Sequence, residues 1–72
     1  MKVLESNDQE LYRIVEMDDG TVVLDILLGG IAMYGMNIPF TSEELTRYRE
    51  EGHSFLRWFI ARVRDAPSDY KR

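Results

Sequence analysis

Between Thr41 and Asp65 the chain carries a helix signal strong enough to dictate what the rest must be. Thr41-Ser42-Glu43-Glu44 has capping-box spacing. In that arrangement the Thr41 hydroxyl accepts from the Glu44 amide, and the Glu44 carboxylate reaches back to the Thr41 amide. Pro39 holds Ile38 extended, which favours a strand ending just before this start. Glu43 and Glu44 complement the positive end of the helix dipole, and Arg62 and Arg64 the negative end. Pro67 disfavours helical torsion angles at Ala66, so the helix is expected to stop near Asp65.

At about 100° per residue, Leu45, Tyr48, Gly52, Phe55, Leu56, Phe59, Ile60 and Val63 share an arc of roughly 140°. The phase of this stripe continues through Gly52. The expectation is therefore one long helix with close backbone approach at Gly52, the alternative being a break into two shorter helices. Trp58 points away from the stripe, beside Arg47 and Arg62. An indole there either lies over its neighbours' aliphatic stems or anchors a partner, and Trp and Arg are the residues most enriched at binding hot spots.

What precedes the helix reads as strands. Leu11–Met17, Thr21–Leu28 and Ile31–Ile38 are rich in β-branched and large apolar residues. Asp18-Asp19-Gly20 and Gly29-Gly30 supply the turns between them. Lys2–Glu5 is a possible fourth strand, followed by a polar turn at Ser6-Asn7-Asp8-Gln9. The fold class is α+β: a three-stranded, or with Lys2–Glu5 four-stranded, antiparallel meander followed by one long helix packed on one sheet face, β-β-β-α. Residues 1–72 form a single domain in this reading, with 66–72 as a loose tail.

The first turn permits two registers. A three-residue loop with Gly20 closing a bulge sets Arg13 opposite Asp25, whereas a two-residue loop sets Arg13 opposite Ile26. Opposite charges across strands favour the former by about 0.2–1 kcal/mol. One face then shows Tyr12, Ile14, Val22, Leu24, Ile26 and Leu28. A two-residue Gly29-Gly30 loop adds Ile31, Met33 and Gly35 to it. The opposite face carries Leu11, Val15, Met17, Val23, Leu27, Ala32, Tyr34, Met36 and Ile38 around Arg13 and Asp25. A sheet with one wet face alternates more cleanly than this. One helix cannot cover two faces, so a homodimer is expected, with Arg13, Val23, Asp25, Leu27, Tyr34 and Met36 at its interface, the sheets meeting face to face or edge to edge.

Size supports the same expectation. Seventy-two residues lie near the lower limit for a self-sufficient core, and with no cysteine neither disulfides nor thiolate metal sites help. Cysteine-free composition fits a reducing compartment, and the early Glu5, Asp8 and Glu10 do not resemble a secretion signal, so a cytoplasmic location is expected. The longest apolar run, Ile26–Met36, is far shorter than a membrane span. Residues 1–40 carry two basic against seven acidic groups, net −5, and residues 41–72 seven against six, net +1. That balance makes a nucleic-acid partner an unlikely expectation.

No residue set points to catalysis. His53 is the lone histidine and lacks a convincing nucleophile and orienting partner in the sequence. Asp18-Asp19-Gly20 begins like a calcium loop, but the later ligands and closing Glu are missing. Gly29-Gly30 with Gly35 forms no phosphate-binding pattern. Arg13, Asp25 and Tyr34 are expected to cluster on the second sheet face, as a register-fixing charge pair or as a small polar ligand site. Arg57, Arg62, Arg64, Lys71 and Arg72, with Trp58 and Tyr70, make a locally basic end that RNA could contact.

The sequence therefore points to a non-enzymatic binding protein without metal or cofactor, an adaptor or inhibitor of the immunity type. Trp58, Arg47 and Arg62 are the expected partner-binding residues, with the acidic sheet edge as the other candidate surface. The alternative is a nucleic-acid-associated regulatory factor using the basic helix end.

Overall fold

The computed structural model describes residues 1–29 and 33–72. The expected Gly30 turn position, the Ile31 start of the third strand and the place of Ala32 on the second face lie outside the described residues. The chain divides into two compact units, Met1–Pro39 and Phe40–Arg72. Its class is α+β, a four-stranded antiparallel meander followed by two helices.

In the first unit, β1 (Lys2–Asn7), β2 (Tyr12–Glu16), β3 (Val22–Leu28) and β4 (Tyr34–Pro39) lie side by side in chain order. The terminal segment is thus a full strand, longer than Lys2–Glu5. It leads into β2 through a turn seeded by Asn7, whose Oδ1 accepts from the amides of Gln9 at 3.0 Å and Glu10 at 2.9 Å. Leu11 closes that turn at φ 61°, a left-handed conformation costing a non-glycine residue about 1–2 kcal/mol. Its carbonyl still accepts from the Leu27 amide at 2.9 Å, so the β2–β3 ladder runs through it.

The β2–β3 hairpin has the three-residue loop that the charge argument favours. Met17 donates to the Thr21 carbonyl at 2.8 Å, Gly20 sits at φ 89°, and Arg13 pairs with Asp25. Asp19 Oδ1 accepts from the Thr21 amide at 2.9 Å. That backbone hydrogen bond leads the causes holding its carboxyl below the ordinary 3.8.

The β3–β4 pairing departs from expectation. Leu28 pairs with Tyr34, Leu24 with Ile38 and Asp25 with Asn37. A two-residue Gly29-Gly30 loop would have paired Leu28 with Ile31, so the register is displaced by three positions. An odd displacement turns every side chain of a strand to the other face. Tyr34, Met36 and Ile38 therefore share the face of Leu24, Ile26 and Leu28. Gly35, Asn37 and Pro39 take the places expected for them beside Arg13 and Asp25. Burial agrees: Tyr12, Ile14, Val22, Leu24, Ile26, Leu28 and Ile38 are all buried. On the other face Arg13, Leu27, Gly35 and Asn37 are exposed, and Val15 is the buried exception.

In the second unit the single long helix is replaced by two, α1 (Ser42–Glu51) and α2 (His53–Asp65), separated at Gly52. Gly52 has φ 61° and ψ −129°, torsion angles that only glycine adopts without strain. It ends α1 by donating to the Tyr48 carbonyl at 2.8 Å. A Cβ there would meet nothing within 4 Å. Close approach is thus not what this glycine serves; its torsion angles are. The amphipathic stripe divides accordingly. Phe55, Leu56, Phe59, Ile60 and Val63 of α2 are buried, while α1 buries no residue fully.

Phe40 ties the unit's helices together, with ring centroids 5.8 Å from Tyr48, 6.2 Å from Phe55 and 5.4 Å from Phe59, all edge-on. The capping box at Thr41 and Glu44 is formed as expected. The segment expected to be a loose tail is instead ordered: Pro67–Tyr70 makes a 3-10 turn with proline at its start. Tyr70 packs edge-on to Phe59 at 5.6 Å, and the Arg72 guanidinium grips Glu44 at 2.6 and 2.9 Å.

Candidate functional site

Two surfaces hold the residues that the sequence singles out, one in each unit. In the second, α2 carries Trp58 on the side away from its buried residues, leaving the side chain 45% exposed. Arg62 follows four residues later, the spacing at which helix side chains meet. Its guanidinium lies 5.0 Å from the centre of the Trp58 ring. Arg47 reaches the same indole from α1 at 4.6 Å, and also lies 4.9 Å from the Phe55 ring. Glu51, one turn on from Arg47, holds its Nε at 3.0 Å and so aims the guanidinium. Each such contact at an exposed site contributes about 0.5–1 kcal/mol. Their main consequence is to restrict an otherwise mobile aromatic ring.

The break at Gly52 is what turns Arg47 and Trp58 from neighbours on a helical wheel into residues presented from two separate helices. Beside them lies an open depression of about 560 Å³, lined by Trp58, Ala61, Arg62, Asp65, Ala66, Asp69 and Tyr70. Arg62 Nε donates to the Tyr70 hydroxyl at 3.4 Å, which joins the two ends of this wall. The three residues expected to bind a partner are therefore together, and Tyr70 with Asp69 joins them. Sequence reasoning missed that pair by treating the tail as loose. Pro67 followed by Ser68 and Asp69 was the available signal, since proline at a first helical position starts a turn rather than merely ending α2.

Chemically, this surface offers a flat aromatic face, delocalised positive charge and two carboxylates. Of the basic end considered for RNA, Arg62 and Arg72 make contacts within the unit, Arg62 with Trp58 and Tyr70. Arg72 is paired with Glu44, Arg47 with Glu51, and Arg72 also lies 5.6 Å from the Tyr70 ring.

The other surface is the sheet face that carries Arg13 and Asp25. Arg13 Nε donates to Asp25 Oδ2 at 2.8 Å, across the strand pair, with both side chains partly exposed. A pair this open contributes at most about 1 kcal/mol. Arg13 and Asp25 line two open depressions. One, of about 260 Å³, includes Ser6, Asn7, Leu11 and Leu27; the other, of about 270 Å³, includes Met1, Val15, Met17, Val23, Asn37 and Pro39. Arg13, Val23, Asp25 and Leu27 of the expected dimer interface stand here together. Tyr34 and Met36 do not, because the β4 register puts them on the opposite face. The expected Arg13–Asp25–Tyr34 cluster is thus not formed, and Asn37 takes the place beside Asp25.

His53 is exposed at the start of α2. Among the described residues no group of three or more His, Cys, Asp and Glu is placed to hold a metal, and no helix is long and apolar enough to cross a membrane. Comparison with family models, with curated proteins and with solved structures finds no match.

Proposed function

We infer that this chain is a non-catalytic binding protein of the adaptor or inhibitor kind, which engages a protein partner through Trp58, Arg47 and Arg62 and associates with itself through the sheet-bearing unit. The observation that carries the first part is the half-exposed indole, fixed in place by two guanidiniums at the lip of a depression. A rigid aromatic with flanking arginines loses little conformational freedom on binding, the property that makes such residues dominate interface energetics. The second part rests on where the remaining apolar surface lies. Apart from Trp58, every large exposed apolar side chain among the described residues belongs to Met1–Pro39. The cysteine-free sequence suits action in the cytoplasm.

Capture experiments with immobilised chain test the partner surface. Trp58→Ala abolishes recovery of any specific partner, while far-ultraviolet circular dichroism stays unchanged, because the indole is on the exposed side of α2. Unaltered recovery from the same lysate overturns this reading. A nucleic-acid role through the basic end is the weaker alternative, since two of its arginines, Arg62 and Arg72, already have partners within the unit. It requires RNA binding that weakens steeply with added salt.

A further inference from the structure

The two edges of the sheet are not alike. Strand order leaves β1 and β4 at the margins. β1 is interrupted by a register shift between Val3 and Glu5 and carries Lys2 and Glu5. Bulges and charges are the devices by which proteins keep an edge from pairing with another chain. β4 has neither a bulge nor a charge, and its one edge-blunting residue is a proline, Pro39, at its very end. Tyr34–Pro39 contains no charged residue, and its register against β3 is unbroken from Tyr34 to Pro39. Tyr34, Gly35 and Asn37 are exposed, as is Met33 just ahead of the strand.

The charge distribution points the same way. Glu5, Asp8 and Glu10 lie on β1 or the turn that follows it, Glu16 ends β2, and Asp18 and Asp19 lie on the β2–β3 turn. Asp25 on β3 is neutralised by Arg13. The acidic groups of the first unit, which would repel a second copy arriving face to face, are thus absent from β4.

We propose that β4 pairs with the β4 strand of a second copy, antiparallel about a two-fold axis normal to the sheet, to make one continuous eight-stranded sheet. This rests on the self-association reading and specifies how it is achieved. The occupant must offer an extended, uncharged strand at a sheet margin of its own, and β4 itself meets that description. A closed two-fold contact also uses one surface twice and stops at the dimer. Such an axis leaves each side chain on its own face, so residues opposite one another must share alternation parity, and the axis passes through a residue position. With Met36 facing its own copy, Tyr34 lies beside the partner's Ile38, and Gly35 beside the partner's Asn37. The exposed Tyr34 is thereby covered on the face where its own strand buries Ile38.

The absence of cysteine provides a clean background for crosslinking. Directly opposed antiparallel residues have Cα atoms about 4.5–5.5 Å apart, within disulfide range. Sedimentation velocity of the unaltered chain is expected to show twice the chain mass. Under mild oxidation Met36→Cys is expected to run at doubled mass on a non-reducing gel, whereas Val3→Cys on β1 and Val23→Cys on the face of Arg13 and Asp25 stay single. Asn37→Lys, an exposed substitution that leaves the fold intact, is expected to shift the unlinked protein to single mass by placing like charges at the joint. A dimer that crosslinks through Val23→Cys or Val3→Cys and resists Asn37→Lys overturns the β4 assignment while leaving self-association standing. A single-mass species at every concentration overturns both.

Discussion

Glu44 does two jobs, and separating them is the sharpest test of how the helical unit is held. Its Oε1 accepts from the Thr41 amide at 3.0 Å, completing the cap of α1, and its carboxylate receives both arms of Arg72 at 2.6 and 2.9 Å. The pair is well shielded, with the Glu44 side chain 17% and the Arg72 side chain 29% exposed. Losing the cap costs about 0.5–1 kcal/mol. Losing a bidentate, partly shielded ion pair costs about 1 kcal/mol, above the usual surface value because the geometry is a matched fork. Glu44→Ala should therefore lower stability by about 2 kcal/mol, and Arg72→Ala by about 1 kcal/mol. In a chain of this size that moves Tm by roughly 8–16 °C and 4–8 °C.

The pH dependence follows from the same contacts. Burial pushes the Glu44 carboxyl upward, but the hydrogen bonds from Arg72 and Thr41 outweigh it and hold the group below its ordinary 4.5. A carboxyl depressed on folding stabilises the folded state above its unfolded value, and that stabilisation fades as pH falls through the folded value. The wild-type advantage over Glu44→Gln should thus be full at pH 6–7 and disappear progressively below about 4.5. Urea unfolding followed at 222 nm, run as a double-mutant cycle of Glu44→Ala and Arg72→Ala, isolates the pair. A coupling energy indistinguishable from zero at pH 7, or an advantage that does not shrink as pH is lowered below about 4.5, refutes the reasoning.

Gly52→Ala should destabilise by about 1–3 kcal/mol in the same assay, because the penalty lies in backbone torsion angles of φ 61° and ψ −129° and not in lack of room. Ile38→Ala should cost about 2–4 kcal/mol, as expected of a fully buried aliphatic side chain, while Asn37→Ala stays within about 0.5 kcal/mol. Equal effects at the two positions would contradict the β4 register. Asp25→Asn should cost less than about 1 kcal/mol, and its effect should shrink in high salt.

Much of the architecture was readable without coordinates because its causes are local. The Thr41–Glu44 box is a four-residue pattern of side-chain and backbone groups, and it forms as its spacing implies. The β2–β3 register was decided by one charge pair and one glycine, and Arg13 does meet Asp25. Trp58, Arg47 and Arg62 could be grouped from helical geometry alone. The β4 assignment failed because Gly29-Gly30 resembles a complete two-residue turn. A strand's alternation is satisfied in either phase when both Tyr34, Met36, Ile38 and Gly35, Asn37, Pro39 are compatible with a sheet. The continuity of the apolar stripe through Gly52 misled in a similar way, since side-chain phase says nothing about whether the backbone keeps helical torsion angles.

The amino-acid order by itself determined that strands precede helical structure, where α1 begins, which turn sets β2 against β3, and that the chain is α+β. Those outcomes depend on neighbours a few residues apart. Only the tertiary structure decided which face β4 presents, that α1 and α2 are distinct, and that the residues after Pro67 fold back to seal α1 through Arg72 and Glu44. Each of these is a contest between arrangements of nearly equal local energy, settled by contacts between residues far apart in the chain.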